Sequence, residues 1–334
     1  IFNRVAAKIK SESSGRRISS QEFGTNPCGE IILRPFGFCN LSEVVVRCED
    51  SFEDLERKIK VATIIGTFQS TLTNFRYLRP IWSRNAEEER LLGVSLTGIM
   101  DNDFLSGKTN SDELPFILGE LRKYAIETNK EWANRLGINP SVAITTVKPS
   151  GTVSQLVDSS SGIHPRYSKF YVRTVRQNKA DPLSVFMREK GFPVEDDVTQ
   201  PTTTDVFLFP QKSPALSTTR TDMGAIQQLE HYLIYQKYWC EHNPSITIYV
   251  RENEWLGVLA WIYSHFDEIG GISFLPYSDH IYRQAPYQEI DEETYDKLIK
   301  EMPVNINWLE LKEETDSTIA SQELACMAGG GCEI

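Results

Sequence analysis

The sequence predicts an α/β protein whose parallel strands are joined by crossover helices. Three observations carry that expectation. From about residue 40 onward, strand-like and helix-like segments alternate along the chain. The helical segments space their apolar residues with helical period, and the β-branched run at 142–147 leads straight into a Gly-containing turn. Alternation of this kind implies parallel strands with helical crossovers, in an open sheet or a barrel.

Taken in order, residues 41–47 (LSEVVVR) read as a strand and residues 52–76 as a long helix. Leu92–Thr97 (LGVSLT) is again strand-like. A helix over 111–136 opens on a Ser-Asp cap and stops at Gly137. The strand at 142–147 (VAITTV) runs into Lys148-Pro149-Ser150-Gly151-Thr152. Beyond it come a strand at 205–210, a helix around 222–242, a strand at 245–250, a helix around 253–266, a strand at 272–276 and a last helix near 291–301. Residues 309–334 are acidic and polar, then Gly-rich. Such a composition buries little apolar area and predicts a mobile tail.

Composition narrows the class. The chain has 334 residues, 40% of them apolar, enough for a sizeable core. No apolar run approaches the roughly 20 residues that span a bilayer, so no membrane-spanning helix is expected. A net charge of −11 argues against a nucleic-acid surface, which needs Lys and Arg against phosphates. A local set of backbone N–H groups could still hold an anionic small molecule. The first residues, Ile-Phe-Asn-Arg, contain no methionine and no signal peptide, and predict a piece of something longer. Six cysteines without a C-x-x-C pair predict neither a zinc ribbon nor a secreted disulfide framework, and point to a reducing, cytoplasmic setting.

Cys28 stands in T-N-P-C-G-E, between a residue that fixes φ and one that frees the backbone, with Glu30 two positions on. The thiol therefore belongs on a tight turn, with a carboxylate near enough to act as a base. A buried small residue in a turn is the plainer alternative. Cys39 follows eleven residues later in F-C-N-L. In K-P-S-G-T, Ser150 and Thr152 can cap a helix start while Gly151 lets a ligand approach the backbone; an ordinary capped turn would look the same. Cys326 and Cys332 flank M-A-G-G-G, flexible enough for the two sulfurs to meet. Cys48 and Cys240 read as packing residues, and the five histidines follow no metal-binding pattern. His164, close after the K-P-S-G-T loop, is the one histidine near a candidate site.

N-P-C-G-E, C-N-L, T-N-F-R-Y-L-R-P, E-R-L-L-G-V-S-L-T-G-I-M-D, T-T-V-K-P-S-G-T, G-I-H-P-R-Y and the tail dithiol, in that order, resemble the ribonucleotide reductases. The resemblance is to the adenosylcobalamin-dependent class II, in its monomeric ribonucleoside-triphosphate reductase branch, and covers nearly the whole chain. It implies the C-terminal half of a ten-stranded α/β barrel with a finger loop. Residues 1–40 would form the finger-loop region, 41–308 the second half of the barrel, and 309–334 a flexible redox tail. It also implies roles: Cys28 as the thiyl radical, Glu30 and Asn26 on the ribose hydroxyls, and Cys39 as one of two reducing thiols. Thr25, Pro149, Ser150, Gly151 and Thr152 would bind substrate, and Cys326 and Cys332 would restore the reduced site.

The implied cofactor is adenosylcobalamin. The implied partners are a ribonucleoside triphosphate, the N-terminal half of the same reductase, and thioredoxin or a similar dithiol. Neither nucleic acid nor membrane is among them. Other classes of the family carry a Tyr-Tyr pair or an R-V-C-G-Y motif near the end, and this sequence has neither. The family's second reducing cysteine lies upstream of the finger loop, so Cys39 is expected to need a thiol from elsewhere. An inactive or regulatory remnant, or a non-catalytic nucleotide-binding domain, stands as the alternative reading.

Overall fold

The computed structural model describes residues 1–18, 22–109, 111–277 and 283–312. The first half of the chain runs α1 (Arg4–Ser13), β1 (Gly24–Thr25), β2 (Ile32–Leu33), β3 (Asn40–Val45), α2 (Phe52–Gln69), α3 (Pro80–Glu89), β4 (Leu92–Thr97), α4 (Leu114–Leu136) and α5 (Val153–Leu156). Then follow β5 (Phe170–Asn178), α6 (Pro182–Glu189), β6 (Val194–Asp196), β7 (Thr204–Lys212), α7 (Ala225–Tyr238), β8 (Thr247–Val250), α8 (Trp255–Ser264), β9 (Ser273–Pro276), β10 (Tyr287–Glu289) and α9 (Glu292–Glu301). The described chain forms two compact units, a larger one of residues 1–166 and 216–277 and a smaller one built from 167–215 and 283–312.

The larger unit is organised by a parallel ladder of five segments. β3 pairs with β4, and β8 with β9, both in parallel. Between them, β4 bonds to residues 143–146 through Leu92 N–H to Ala143 O, Val94 N–H to Ile144 O and Thr146 N–H to Val94 O. Ser245 N–H donates to Val147 O, and Ser273 N–H to Ile246 O, which closes the series. Helices connect successive members, as parallel strands require.

The two faces of this ladder differ. Val44, Val46, Leu92, Val94, Leu96, Val147, Ile246, Ile248 and Val250 share one core with Leu55 and Ile59 of α2, Leu118 and Leu121 of α4, and Leu229 and Tyr232 of α7. With side chains alternating along a strand, the intervening Glu43, Ser95, Thr97, Thr146, Lys148, Ser245 and Thr247 fall on the other face. A parallel sheet covered by helices on both faces would be apolar on both. Here the face turned from the helices is polar.

α2 is capped by a reciprocal pair, Ser51 and Asp54, and ends at Gln69, seven residues short of the helix expected to residue 76. α4 stops as expected at Gly137, whose φ of +67° suits glycine. Its start differs: Glu113 is the N-cap but its side chain does not cap the helix, and Pro115 sits in the first turn.

In the smaller unit the order is β10-β5-β7-β6, antiparallel throughout. The strand expected at 205–210 is thus real but belongs to an antiparallel sheet. Its apolar side packs Phe207 with Met187 of α6 and Phe192. Trp308 lies on Phe186 and Phe192.

Candidate functional site

β1 and β2 form a short antiparallel hairpin, Thr25 opposite Ile32, and the loop between them carries N-P-C-G-E. Pro27 sets the turn, Gly29 N–H closes it on Asn26 O at 3.0 Å, and Gly29 has φ +80°. The Asn26 side-chain oxygen accepts from Ile31 N–H at 3.0 Å, so it ties the loop together from within.

Three successive carbonyls then anchor the loop to the polar face of the ladder. Cys28 O accepts from Ser245 Oγ at 2.7 Å, and Gly29 O from Asn243 Nδ2 at 3.1 Å. Glu30 O accepts from Asn243 N–H at 3.0 Å and Thr146 Oγ1 at 2.9 Å. Asn243 is itself fixed, its Oδ1 accepting from Tyr232 Oη at 2.9 Å and Gly271 N–H at 3.1 Å. The loop also needs space: a Cβ on Gly93 would stand 2.4 Å from Leu41 Cδ2 and 3.0 Å from Ile31 Cδ1. Glycine in mid-strand is what lets the loop lie down on β4.

β2 is held from behind. Ile32 N–H donates to His242 Nδ1 at 3.3 Å, and the opposite ring nitrogen faces Leu92 O at 2.9 Å, which fixes the neutral tautomer with the proton on Nε2. Burial pushes the His242 pKa down to about 3, with Arg17 adding to the effect. Arg17 donates to Ile32 O at 2.9 Å and grips both oxygens of Glu89, at 2.7 and 3.2 Å. Arg34 reaches the same carboxylate at 3.3 Å.

The expected site residues fall as follows. Asn26, Cys28 and Glu30 share the anchored loop; Cys28 is half-buried, and Glu30 is 2% exposed with no hydrogen-bond partner for Oε2. Burial pushes the Cys39 thiol above its ordinary range; Arg17 opposes this, while Glu30 and Glu89 add to it. Cys39 and Glu30 therefore lie within each other's electrostatic reach.

In the second loop Ser150 is buried, has φ +55° and leaves its Oγ without a partner. Pro149 O accepts from Ser161 Oγ at 2.6 Å. Gly162 (φ +58°) fits close against this loop, since a Cβ there would sit 2.3 Å from Lys148 O. The helix that follows Thr152 has only four residues. Cys326 and Cys332 lie outside the described residues.

Two readings of single residues change. Cys48 is exposed, and its Sγ donates to Glu49 Oε2 at 3.0 Å, so it is a surface residue and packs nothing. Cys240 is buried as expected. His164 is structural: Nε2 accepts from Thr247 N–H at 2.9 Å while Nδ1 faces Ser161 O at 2.9 Å, and burial lowers its pKa. Among the described residues no group of three His, Cys, Asp or Glu side chains could hold a metal ion, and no helix is long and apolar enough to cross a membrane.

Sequence reasoning missed the partners of these loops. Asp101, from G-I-M-D, and Arg166, from H-P-R-Y, form a buried bidentate pair with both bonds at 2.9 Å. Ser217 Oγ and Ser160 N–H complete the Asp101 carboxylate, each at 2.7 Å. Asn243, Ser245 and Thr146, which seat the loop, were equally unmarked. The signal available for them was the polar–apolar alternation in VAITTV and SITIYV, unexpected in strands roofed by helices on both faces.

No family model matches the sequence. Adenosylcobalamin-dependent ribonucleoside-triphosphate reductase of Lactobacillus delbrueckii subsp. bulgaricus is 29% identical over 93% of this chain and 45% of its own length. The protein of the same name from Lactobacillus acidophilus is 31% identical over 82% of the chain and 40% of its own length. A crystal structure of a B12-dependent class II ribonucleotide reductase superposes with a TM-score of 0.72 at 27% identity, covering 84% of this chain and 42% of that one. The chain is a relative of the adenosylcobalamin-dependent ribonucleotide reductases.

This reductase relative spans about half the length of the curated proteins it matches. The α subunit of an Actinobacillus ureae class Id ribonucleotide reductase shares the fold, with a TM-score of 0.56 at 16% identity over 83% of this chain and 57% of that one. The α/β fold is thus common to the reductase relatives and to this chain.

Proposed function

We propose that this chain supplies the C-terminal part of a catalytic subunit that reduces ribonucleoside triphosphates to 2′-deoxyribonucleotides. The observation that carries the reading is the loop of Cys28 and Glu30, pinned by three consecutive carbonyls over a polar strand face, with a buried Glu30 oxygen left open. Such pinning is what precise hydrogen-atom transfer requires.

In this reading the Cys28 sulfur takes the 3′-hydrogen of the ribose as a thiyl radical, and Glu30 Oε2 accepts the 3′-hydroxyl proton. Asn26 has committed its oxygen to Ile31 N–H, so its contribution to the ribose is an N–H donor. The 2′-hydroxyl leaves as water, and two thiols become one disulfide while their two electrons and hydrogens reduce the sugar; Cys28 then returns its hydrogen atom to the 3′ carbon and is a thiyl radical again. Cys39, its thiol kept protonated by burial, is one of the pair. The other comes from the N-terminal half of the reductase. Thr25 and the 149–152 loop hold the phosphates, Ser150 Oγ being the open donor. Cys326 and Cys332 return electrons from thioredoxin or a similar dithiol in the cytoplasm.

The cofactor in this reading is adenosylcobalamin, which brings its own cobalt and needs no side-chain metal cage. The half-buried Cys28 thiol is the group on this chain that fits it. When bound, the cofactor supplies the radical initiation that protein side chains lack.

The finer fold is the second half of a ten-stranded barrel. The five parallel segments support it, as does the open edge of β3 beside the exposed Val61 and Ile65 of α2. That edge is where the N-terminal half would add its strands.

The test mixes this chain with the N-terminal half, adenosylcobalamin, a ribonucleoside triphosphate and a small dithiol. Deoxynucleotide should form with the wild-type chain and be abolished by Cys28→Ser, while Cys326→Ser keeps turnover because the dithiol bypasses the tail. No product from two folded halves, or equal losses for the two variants, sinks the reading.

A further inference from the structure

The polar face of the ladder holds one buried acid that the mechanism above leaves idle. The Glu43 side chain on β3 is 8% exposed, and neither of its oxygens accepts a hydrogen bond. Its cation neighbour is Lys148, with Nζ 3.7 Å from Oε2, beyond hydrogen-bond length. Register places the pair. Glu43 lies opposite Ser95, whose Oγ accepts from Lys148 N–H at 2.8 Å. One level back along the strands lie Leu41, Gly93 and Thr146, where Ile31 of the Cys28 loop rests. Two strand residues separate those levels by roughly 6.6 Å. Two residues beyond Lys148 is Ser150 with its open hydroxyl. Along the strands, then, Glu43 and Lys148 fall between the loop of Glu30 and the loop of Ser150.

A buried carboxylate without donors costs folding free energy. Lys148 offsets the charge and supplies no hydrogen bond. The missing donors fit a ligand, and the negative charge rules out its phosphates as the contact. What remains is the nucleoside part, which offers sugar hydroxyls and base N–H groups. Resting on the nucleotide reading above, we propose that Glu43 binds the nucleoside portion of the substrate by accepting a hydrogen bond from a ribose hydroxyl or a base N–H, with Lys148 as its positioning residue.

The test is calorimetric binding of ATP, CTP, GTP and UTP to the wild-type chain and to Glu43→Ala and Glu43→Gln, alone and with the N-terminal half. Glu43→Ala should weaken binding about tenfold or more, and Glu43→Gln, which keeps one acceptor, by less. The melting temperature of unliganded Glu43→Gln should hold or rise, because a neutral amide is easier to bury. An equal loss across the four nucleotides assigns the contact to the ribose, and a base-dependent loss assigns it to the base. Wild-type binding left unchanged by both variants overturns the inference and leaves the functional reading standing. A folded wild-type chain that binds none of the four, alone or with the other half, overturns both. Should Glu43→Ala not fold, the near-isosteric Glu43→Gln decides the matter by the same criterion.

Discussion

Acids are buried in two opposite ways, and the larger unit uses both, since its Asp101 and Glu89 are fully paired. In the smaller unit, Asp205 takes Ser184 Oγ at 2.6 Å and Arg188 at 3.2 Å. Asp197 takes Thr199 Oγ1, Thr199 N–H, Gln200 N–H and Arg176; burial alone would raise its pKa, yet these donors hold it well below the carboxylate range. In the larger unit, the Glu30 and Glu43 side chains are also buried, and Glu30 Oε2 and both Glu43 oxygens lack a hydrogen bond. Satisfied acids hold the fold together, whereas in the proposed function the unsatisfied ones face the substrate. A fold that tolerates the second kind gives up stability for function.

The largest expected effect tests that contrast directly. Glu30→Gln should lower turnover in the two-half mixture by roughly 10²–10⁴-fold, the usual worth of a general base, with the melting temperature kept. Asp205→Ala should do the reverse, leaving the Cys28 loop intact and costing roughly 2–3 kcal/mol, measured by urea unfolding. Stability losses of the same size for both would erase the distinction.

A second measurement sharpens it through pH. His231 is buried with Nε2 unpartnered, and burial lowers its pKa to about 4. The unfolded chain binds the proton first, so this contribution is complete above about pH 6.5 and is lost as the pH falls toward 4. His231→Phe should flatten the acid loss of stability over that window by up to roughly 3 kcal/mol, read from unfolding curves at pH 7, 5.5 and 4. Parallel curves for wild type and variant would remove His231 from the account.

The smallest expected effect is steric. Gly93→Ala places a methyl against Leu41 and Ile31. Because both neighbours are side chains that can shift, the cost should be about 1–2 kcal/mol in unfolding. Turnover should fall further than that destabilisation explains, because the Cys28 loop is displaced. Unchanged turnover would mean that the loop does not depend on its seat.

Much of the larger unit was legible. The runs at 41–47, 92–97, 142–147, 245–250 and 272–276 are all members of the parallel ladder, because β-branched segments separated by helices have few other ways to pair. T-N-P-C-G-E announced its own turn, since Pro27 and Gly29 restrict the backbone wherever they stand. The smaller unit was legible only in pieces: the helix near 291–301 is α9 and the run at 205–210 lies in β7, but the sheet they belong to was not foreseen. The run at 205–210 reads like any buried strand, and nothing local to it encodes that β5 runs beside it in the opposite direction. The 52–76 pattern overran α2 because apolar spacing continued through Leu72 after the helix had ended at Gln69.

What the sequence determined by itself is the set of local devices: the turn that presents Cys28, the glycine that permits its approach, and the strand–helix rhythm of the larger unit. These follow from steric limits on a few neighbouring residues. The tertiary structure alone decided which polar groups were spent on folding and which stayed open. Asn243, Ser245 and Thr146 became anchors, and His164 and His242 became rivets between segments. Glu30 Oε2 and both oxygens of Glu43 were left without donors. Satisfaction of a buried polar group depends on atoms brought from more than 100 residues away, as Ser245 is to Cys28, and no local pattern carries that information.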